Sequence, residues 1–136
     1  MTTSIADRIR EALAGLPEVE LAALFGSAAR DRARPDSDVD VGLVVDDPSP
    51  ERFAEISARL HRALGRDIDL VDLSAAPPLL RFELARDGVP LVERRPYRWA
   101  DFRAQAMLDW WDWEPYARRL HDAAIARLRQ KVSHGP

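Results

Sequence analysis

Apolar residues at positions 5, 9, 13 and 16 are separated by polar ones, which is the spacing of one buried helix face. Ser4 stands where a cap is needed, and Gly15–Pro17 ends the pattern. VELAALF, residues 19–25, is a short apolar run that reads as a buried strand, stopped by Gly26–Ser27. A second short helix can begin there and run into the polar stretch Arg30–Asp36. VDVGLVV, residues 39–45, is β-branched and predicts a second strand, and residues 46–50 form a turn cluster. Phe53, Ile56, Leu60 and Leu64 make a helical stripe that Gly65 ends. DIDLVDL, residues 67–73, predicts a third strand. Residues 74–78 open another helix, carrying Leu79, Leu80 and Leu84 and stopped by Gly88. VPLV, residues 89–92, reads as an edge strand, because Pro90 has no N–H for a ladder.

The last forty residues differ in character. Trp99, Phe102, Trp110, Trp111, Trp113 and Tyr116 crowd together, and Pro115 is predicted to divide one helix from the next. Leu120, Ala124 and Leu128 continue a helical stripe beyond it. Trp99, Phe102 and Trp110 suit one helix face; Trp111 and Trp113 cannot both join them. At least one of those two is therefore expected to be exposed or to meet another chain. The aromatic group as a whole reads either as the core of a helical hairpin or as a partner surface that holds a dimer or a hetero-complex. Strands alternating with helices predict an α/β (α+β) layered fold with a C-terminal helical hairpin.

Composition narrows the classes. The 136 residues are 46% hydrophobic and 32% charged, as in a soluble globular protein large enough for a real core. Without cysteine, disulfides and thiolate metal sites are excluded. No apolar run approaches a membrane span, and the N-terminal residues lack a signal-peptide layout, so the cytoplasm is expected. Net charge is −3, but residues 1–93 hold 11 Lys and Arg against 18 Asp and Glu, whereas residues 94–136 hold 9 against 5. An acidic body with a basic tail does not fit stable nucleic-acid binding. The tail is either a solvated helix face or a docking surface for an acidic partner or phosphates.

The chemistry concentrates in Phe25-Gly26-Ser27-Ala28-Ala29-Arg30 and Ser37-Asp38-Val39-Asp40. Glycine after a strand permits a tight turn and close backbone approach to a ligand. A helix opening at Ser27 would aim backbone N–H groups at an anion. Asp38 and Asp40, two apart on a strand, project from one face and repel each other unless a cation or proton relieves them. Hard carboxylate oxygens suit Mg2+ together with substrate phosphates. Alone, the pair could equally be strand-end or turn aspartates; the Gly-Ser at a fixed distance upstream favours the metal reading. His61, His121 and His134 do not cluster at metal-ligand spacing, and His61 is expected on a helix surface.

Gly-Ser, ten residues and then Asp-X-Asp resembles the signature of the DNA polymerase β-type nucleotidyltransferase superfamily. The small size, LFGSAAR and the later DIDLVDL resemble its minimal nucleotidyltransferases (MNT), commonly the antitoxins of HEPN/MNT toxin–antitoxin pairs. The resemblance implies a polymerase β-like fold, a small mixed sheet flanked by helices, with residues 1–96 as catalytic core and 97–136 as a helical extension packed on it. It implies that Gly26 and Ser27 contact the triphosphate of ATP, with Arg30 as the family arginine, and that Asp38, Asp40 and a third strand acid hold two Mg2+ ions. Arg30 could equally lock the loop to Asp36 or Asp38, and Ser37 reads as a turn residue. Among Asp67, Asp69 and Asp72, the family pattern points to Asp69. Asp67 shares its face and reads as a turn residue; Asp72 falls on the other face and reads as a strand-end or cap residue. Asp31 departs from the glycine often found after the arginine and adds an acid near the triphosphate.

The function implied is metal-dependent transfer of AMP from ATP to a hydroxyl, foremost a tyrosine of a cognate HEPN toxin. The alternatives are an aminoglycoside-type small-molecule adenylyltransferase, or an antitoxin that neutralises by binding alone. Small-molecule enzymes usually carry a larger second domain, and only about forty residues follow this core. A polymerase is disfavoured because no basic domain could hold a duplex.

Overall fold

The computed structural model describes residues 4–26 and 39–133. Helix α1 (Ile5–Ala14) starts at Ser4, whose hydroxyl accepts the Asp7 N–H at 3.1 Å, and ends at Gly15. Strands β1 (Val19–Phe25) and β2 (Val39–Val45) follow. Helix α2 (Pro50–Leu64) is capped by Ser49 and has Pro50 in its first turn. Its C-cap Gly65 adopts φ 67°, and the Gly65 N–H donates to the His61 carbonyl at 2.7 Å. Then come β3 (Ile68–Asp72), α3 (Pro78–Asp87), β4 (Val89–Glu93) and α4 (Arg98–Ser133).

The strands form one mixed sheet in the order β3–β2–β1–β4. β1 runs antiparallel to β2 and β4, and β2 runs parallel to β3, with α2 as the crossover between them. VPLV thus lies at an edge, where Pro90 is tolerated. Ile9 and Leu13 of α1 and Ile56, Leu60 and Leu64 of α2 cover one face of the sheet. Leu84 and Ala85 of α3 and Trp99, Phe102 and Ala106 of α4 cover the other. Both central strands are therefore buried on both sides, which is why their sequences run apolar instead of alternating. Leu79 and Leu80 do not contribute: both are exposed, and α3 packs through Leu84 and Ala85. The short helix expected over 27–36 lies outside the described residues.

The C-terminal hairpin is not found. α4 is a single 36-residue helix with Pro115 inside it. A proline in a helix interior costs about 3 kcal/mol and removes one hydrogen bond, but reversing the chain needs a turn. Between residues 98 and 133 there is no glycine or asparagine to make one. The carbonyl that loses its donor belongs to exposed Trp111, where water can reach it, and the Glu114–Arg118 ion pair spans the proline.

The first half of α4 is held firmly. The Arg81 guanidinium donates to Asp109 at 2.7 Å, Trp110 stacks on Phe82 at 5.4 Å, and Arg98 donates to Glu20 of β1 at 2.7 Å. The aromatic group is thereby divided. Trp99, Phe102 and Trp110 pack inward, while Trp111 is 64% exposed and Trp113 38%. Among the described residues, no helix is long and apolar enough to cross a membrane.

Candidate active site

The site is assembled at the end of the sheet where β1 finishes and β2 and β3 begin. Phe25 pairs with Asp40 across β1 and β2, and Asp40 pairs with Asp69 across β2 and β3. Paired residues in a ladder project from the same face, so the Asp40 and Asp69 side chains leave one face of neighbouring strands about 4.8 Å apart. Asp40 is half-buried and Asp69 exposed. Like charges placed directly opposite are destabilising without a counter-charge.

The other two aspartates of DIDLVDL have different surroundings. The Asp67 side chain is 89% exposed at the turn before β3, 3.7 Å from His61. Asp72 accepts from the Ser74 N–H at 3.0 Å and from its hydroxyl at 2.6 Å, closing the turn after the strand. His61 is on the surface of α2, its Nδ1 2.8 Å from the Arg66 carbonyl oxygen. An open groove of about 640 Å³ lies beside the outer edge of β3, lined in part by Ser57, His61 and Asp69.

Gly26 follows Phe25 with φ 72°, a conformation that favours glycine. A Cβ at this position would lie 2.9 Å from Asp40 Oδ2, so the bare Cα lets the chain turn against the carboxylate. Phe25 fixes where that turn begins. Its ring is wedged between two further glycines: a Cβ at Gly42 would meet it at 2.5 Å, and one at Gly88 at 2.2 Å. Sequence reasoning missed this wedge, although a glycine inside the β-branched run VDVGLVV was a signal of close approach. Ser27, Arg30, Asp31, Asp36, Ser37 and Asp38 lie outside the described residues.

Residues 7–97 match the family described as polymerase beta, nucleotidyltransferase. This chain belongs to that family. Protein adenylyltransferase MntA of Shewanella oneidensis is 32% identical to this chain over 78 residues. That stretch is 56% of this chain and 55% of MntA, so the match spans about half the length of the curated relative. A chain from a crystal structure of a toxin–antitoxin with AMP-PNP superposes with a TM-score of 0.77 at 23% identity, covering 88% of this chain and 98% of that one. A chain from a complex of tri-AMPylated Shewanella oneidensis HEPN toxin with MNT antitoxin superposes with a TM-score of 0.72 at 22% identity, covering 89% and 96%. At these identities the two superpositions establish a shared fold.

Proposed function

We propose that this nucleotidyltransferase transfers AMP from ATP to a tyrosine hydroxyl of a HEPN-type toxin and so acts as its antitoxin. The observation that carries the reading is the in-register pair Asp40 and Asp69 beside the left-handed Gly26. The name of the MntA relative, a protein adenylyltransferase, supports a protein acceptor. We assign residues 1–96 to the catalytic core and 97–136 to a helical extension, working in the cytoplasm, where ATP is at hand.

The residues present fit Mg2+: paired hard-oxygen donors on one face, with the bare Cα of Gly26 drawn close against Asp40. Asp38, Asp40 and Asp69 would hold the metal. When bound, two such ions supply neutralisation of the charge that builds on the phosphates. Gly26 and Ser27 seat the triphosphate through backbone N–H groups and the serine hydroxyl, and Arg30 steadies a phosphate oxygen. The acceptor oxygen attacks the α-phosphorus in line; the new P–O bond forms as the bond to pyrophosphate breaks. Asp69, open to solvent on the edge strand, takes the proton from the acceptor hydroxyl. Most of the acceleration comes from positioning and electrostatics.

The test is intact-mass analysis of the HEPN-type protein from the same organism after incubation with this chain, ATP and Mg2+. Wild type should add adenylyl groups on tyrosine. Asp40→Asn and Asp69→Asn should each reduce the rate by several orders of magnitude, whereas Asp72→Asn, which only loosens a turn, should keep most of it. Near-normal transfer by Asp40→Asn or Asp69→Asn at saturating Mg2+ would reject the assignment.

A further inference from the structure

The stripe that packs α4 on the core does not stop where the core stops. Trp99, Phe102, Ala106 and Trp110 meet the sheet and α3. At 100° per residue, the same face continues through Trp113, Ala117, Leu120, Ala124, Leu128 and Val132. From Arg118 to Val132 every side chain is exposed. Leu120 is 51% exposed, Leu128 58% and Val132 83%. A helical segment of this length with no tertiary packing is marginal in water, so an apolar stripe along it calls for a cover.

Charge and area point to what covers it. Between residues 114 and 132 there are five Lys and Arg but only two acids, Glu114 and Asp122. Arg127 borders one side of the stripe and Arg118, Asp122 and Arg129 the other, while His121 and Lys131 lie within it. Two copies joined through this stripe would bring two segments of net positive charge together. The stripe from Trp113 to Val132 is about 30 Å long and about 10 Å wide. A flat footprint of about 300 Å² corresponds to about twice as much accessible surface at most, short of the roughly 800 Å² per partner of a stable interface. It suits a secondary grip added to a contact made elsewhere on the same partner, where it works through effective concentration.

We propose that the overhanging half of α4 docks the acceptor protein, through an apolar groove of that protein bordered by Asp and Glu. This rests on the reading that the acceptor is a protein. The arm holds the acceptor while its hydroxyl is presented at Asp40 and Asp69, so the arm governs acceptor affinity and leaves the chemical step alone.

The experiment uses the full chain, with Leu120→Ser/Leu128→Ser and Arg127→Glu/Lys131→Glu as paired variants. The probe is the purified HEPN-type protein from the same organism. Its binding is measured by calorimetry, and AMP transfer by initial rates at varied probe concentration. The leucine variant should raise Kd and KM for the probe at least tenfold, about 1.4 kcal/mol, with kcat within about twofold and the melting midpoint unchanged, since neither side chain packs on the core. The charge variant should weaken binding more at low salt than at high salt. A wild type that modifies the probe with a KM indifferent to both variants keeps the proposed reaction and overturns the docking. A wild type that binds without transferring AMP, and loses binding in the leucine variant, keeps the docking and rejects the reaction. A wild-type dimer that the leucine variant turns to monomer without change in KM gives the stripe to a second copy and overturns the proposal. Absence of wild-type binding overturns it as well.

Discussion

Gly26 and Gly65 form a natural pair for separating backbone strain from active-site crowding. Both adopt the left-handed conformation, with φ 72° and 67°. An added Cβ at Gly65 meets nothing within 4 Å, whereas at Gly26 it lies 2.9 Å from Asp40 Oδ2. Alanine in this backbone region costs about 1 kcal/mol at either site. With an unfolding entropy of about 2.1 cal/mol/K per residue, that lowers the melting midpoint of a chain this size by roughly 3–4 °C. The two stability losses should therefore be similar. Only Gly26→Ala must also push the Asp40 carboxylate back by about half an ångström to reach ordinary contact, and misplacement on the ångström scale can cost about a hundredfold in rate. Gly26→Ala should lower AMP transfer at least tenfold, and Gly26→Val further, while Gly65→Ala stays within about twofold of wild type. Melting curves and initial rates on the same preparations decide it. Equal loss of transfer in the two alanine variants, or full transfer by Gly26→Ala, would refute the reasoning.

Gly42→Ala should destabilise by about 1–3 kcal/mol in urea titration, because its Cβ would lie 2.5 Å from the Phe25 ring and 2.6 Å from Leu73 in a filled core. Arg98, hydrogen-bonded to Glu20 at 2.7 Å, holds the Glu20 carboxyl below its ordinary value, with Arg94 and Arg95 adding to the effect. A carboxyl lowered in the folded state stabilises above its unfolded pKa of 4.5 and loses that stability as pH falls through the folded one. Melting midpoints should therefore fall on acidification below about pH 4.5, and Glu20→Gln should flatten part of that decline. Trp110→Ser should lower the midpoint clearly by removing the stack on Phe82, whereas Trp111→Ser, at an exposed site, should change stability by no more than about 0.5 kcal/mol.

Local signals in the sequence located nearly every element among the described residues. The unbroken runs at 19–25 and 39–45 match β1 and β2, and Ser4, Gly15 and Gly65 cap the helices they were expected to cap. Each of these depends on periodicity, dihedral preference or a hydrogen bond within a few residues, so the linear order contains it. Asp38, Asp40 and Gly26 were singled out for the same reason, since strand alternation and a fixed spacing are local features.

Only the tertiary structure decided the rest. Asp67, Asp69 and Asp72 are alike in type, and what separates Asp69 is a parallel register that sets it against Asp40 across a crossover helix. Phe25 owes its setting to glycines 17 and 63 residues further along, Gly42 and Gly88, which no local pattern connects. Pro115 misled because helix-breaking strength is a local average, while the outcome depended on whether the chain had a turn to break into and a core to fold back on. Register, face and helix continuation are set by contacts between segments far apart in sequence, and those contacts exist only once the sheet is built.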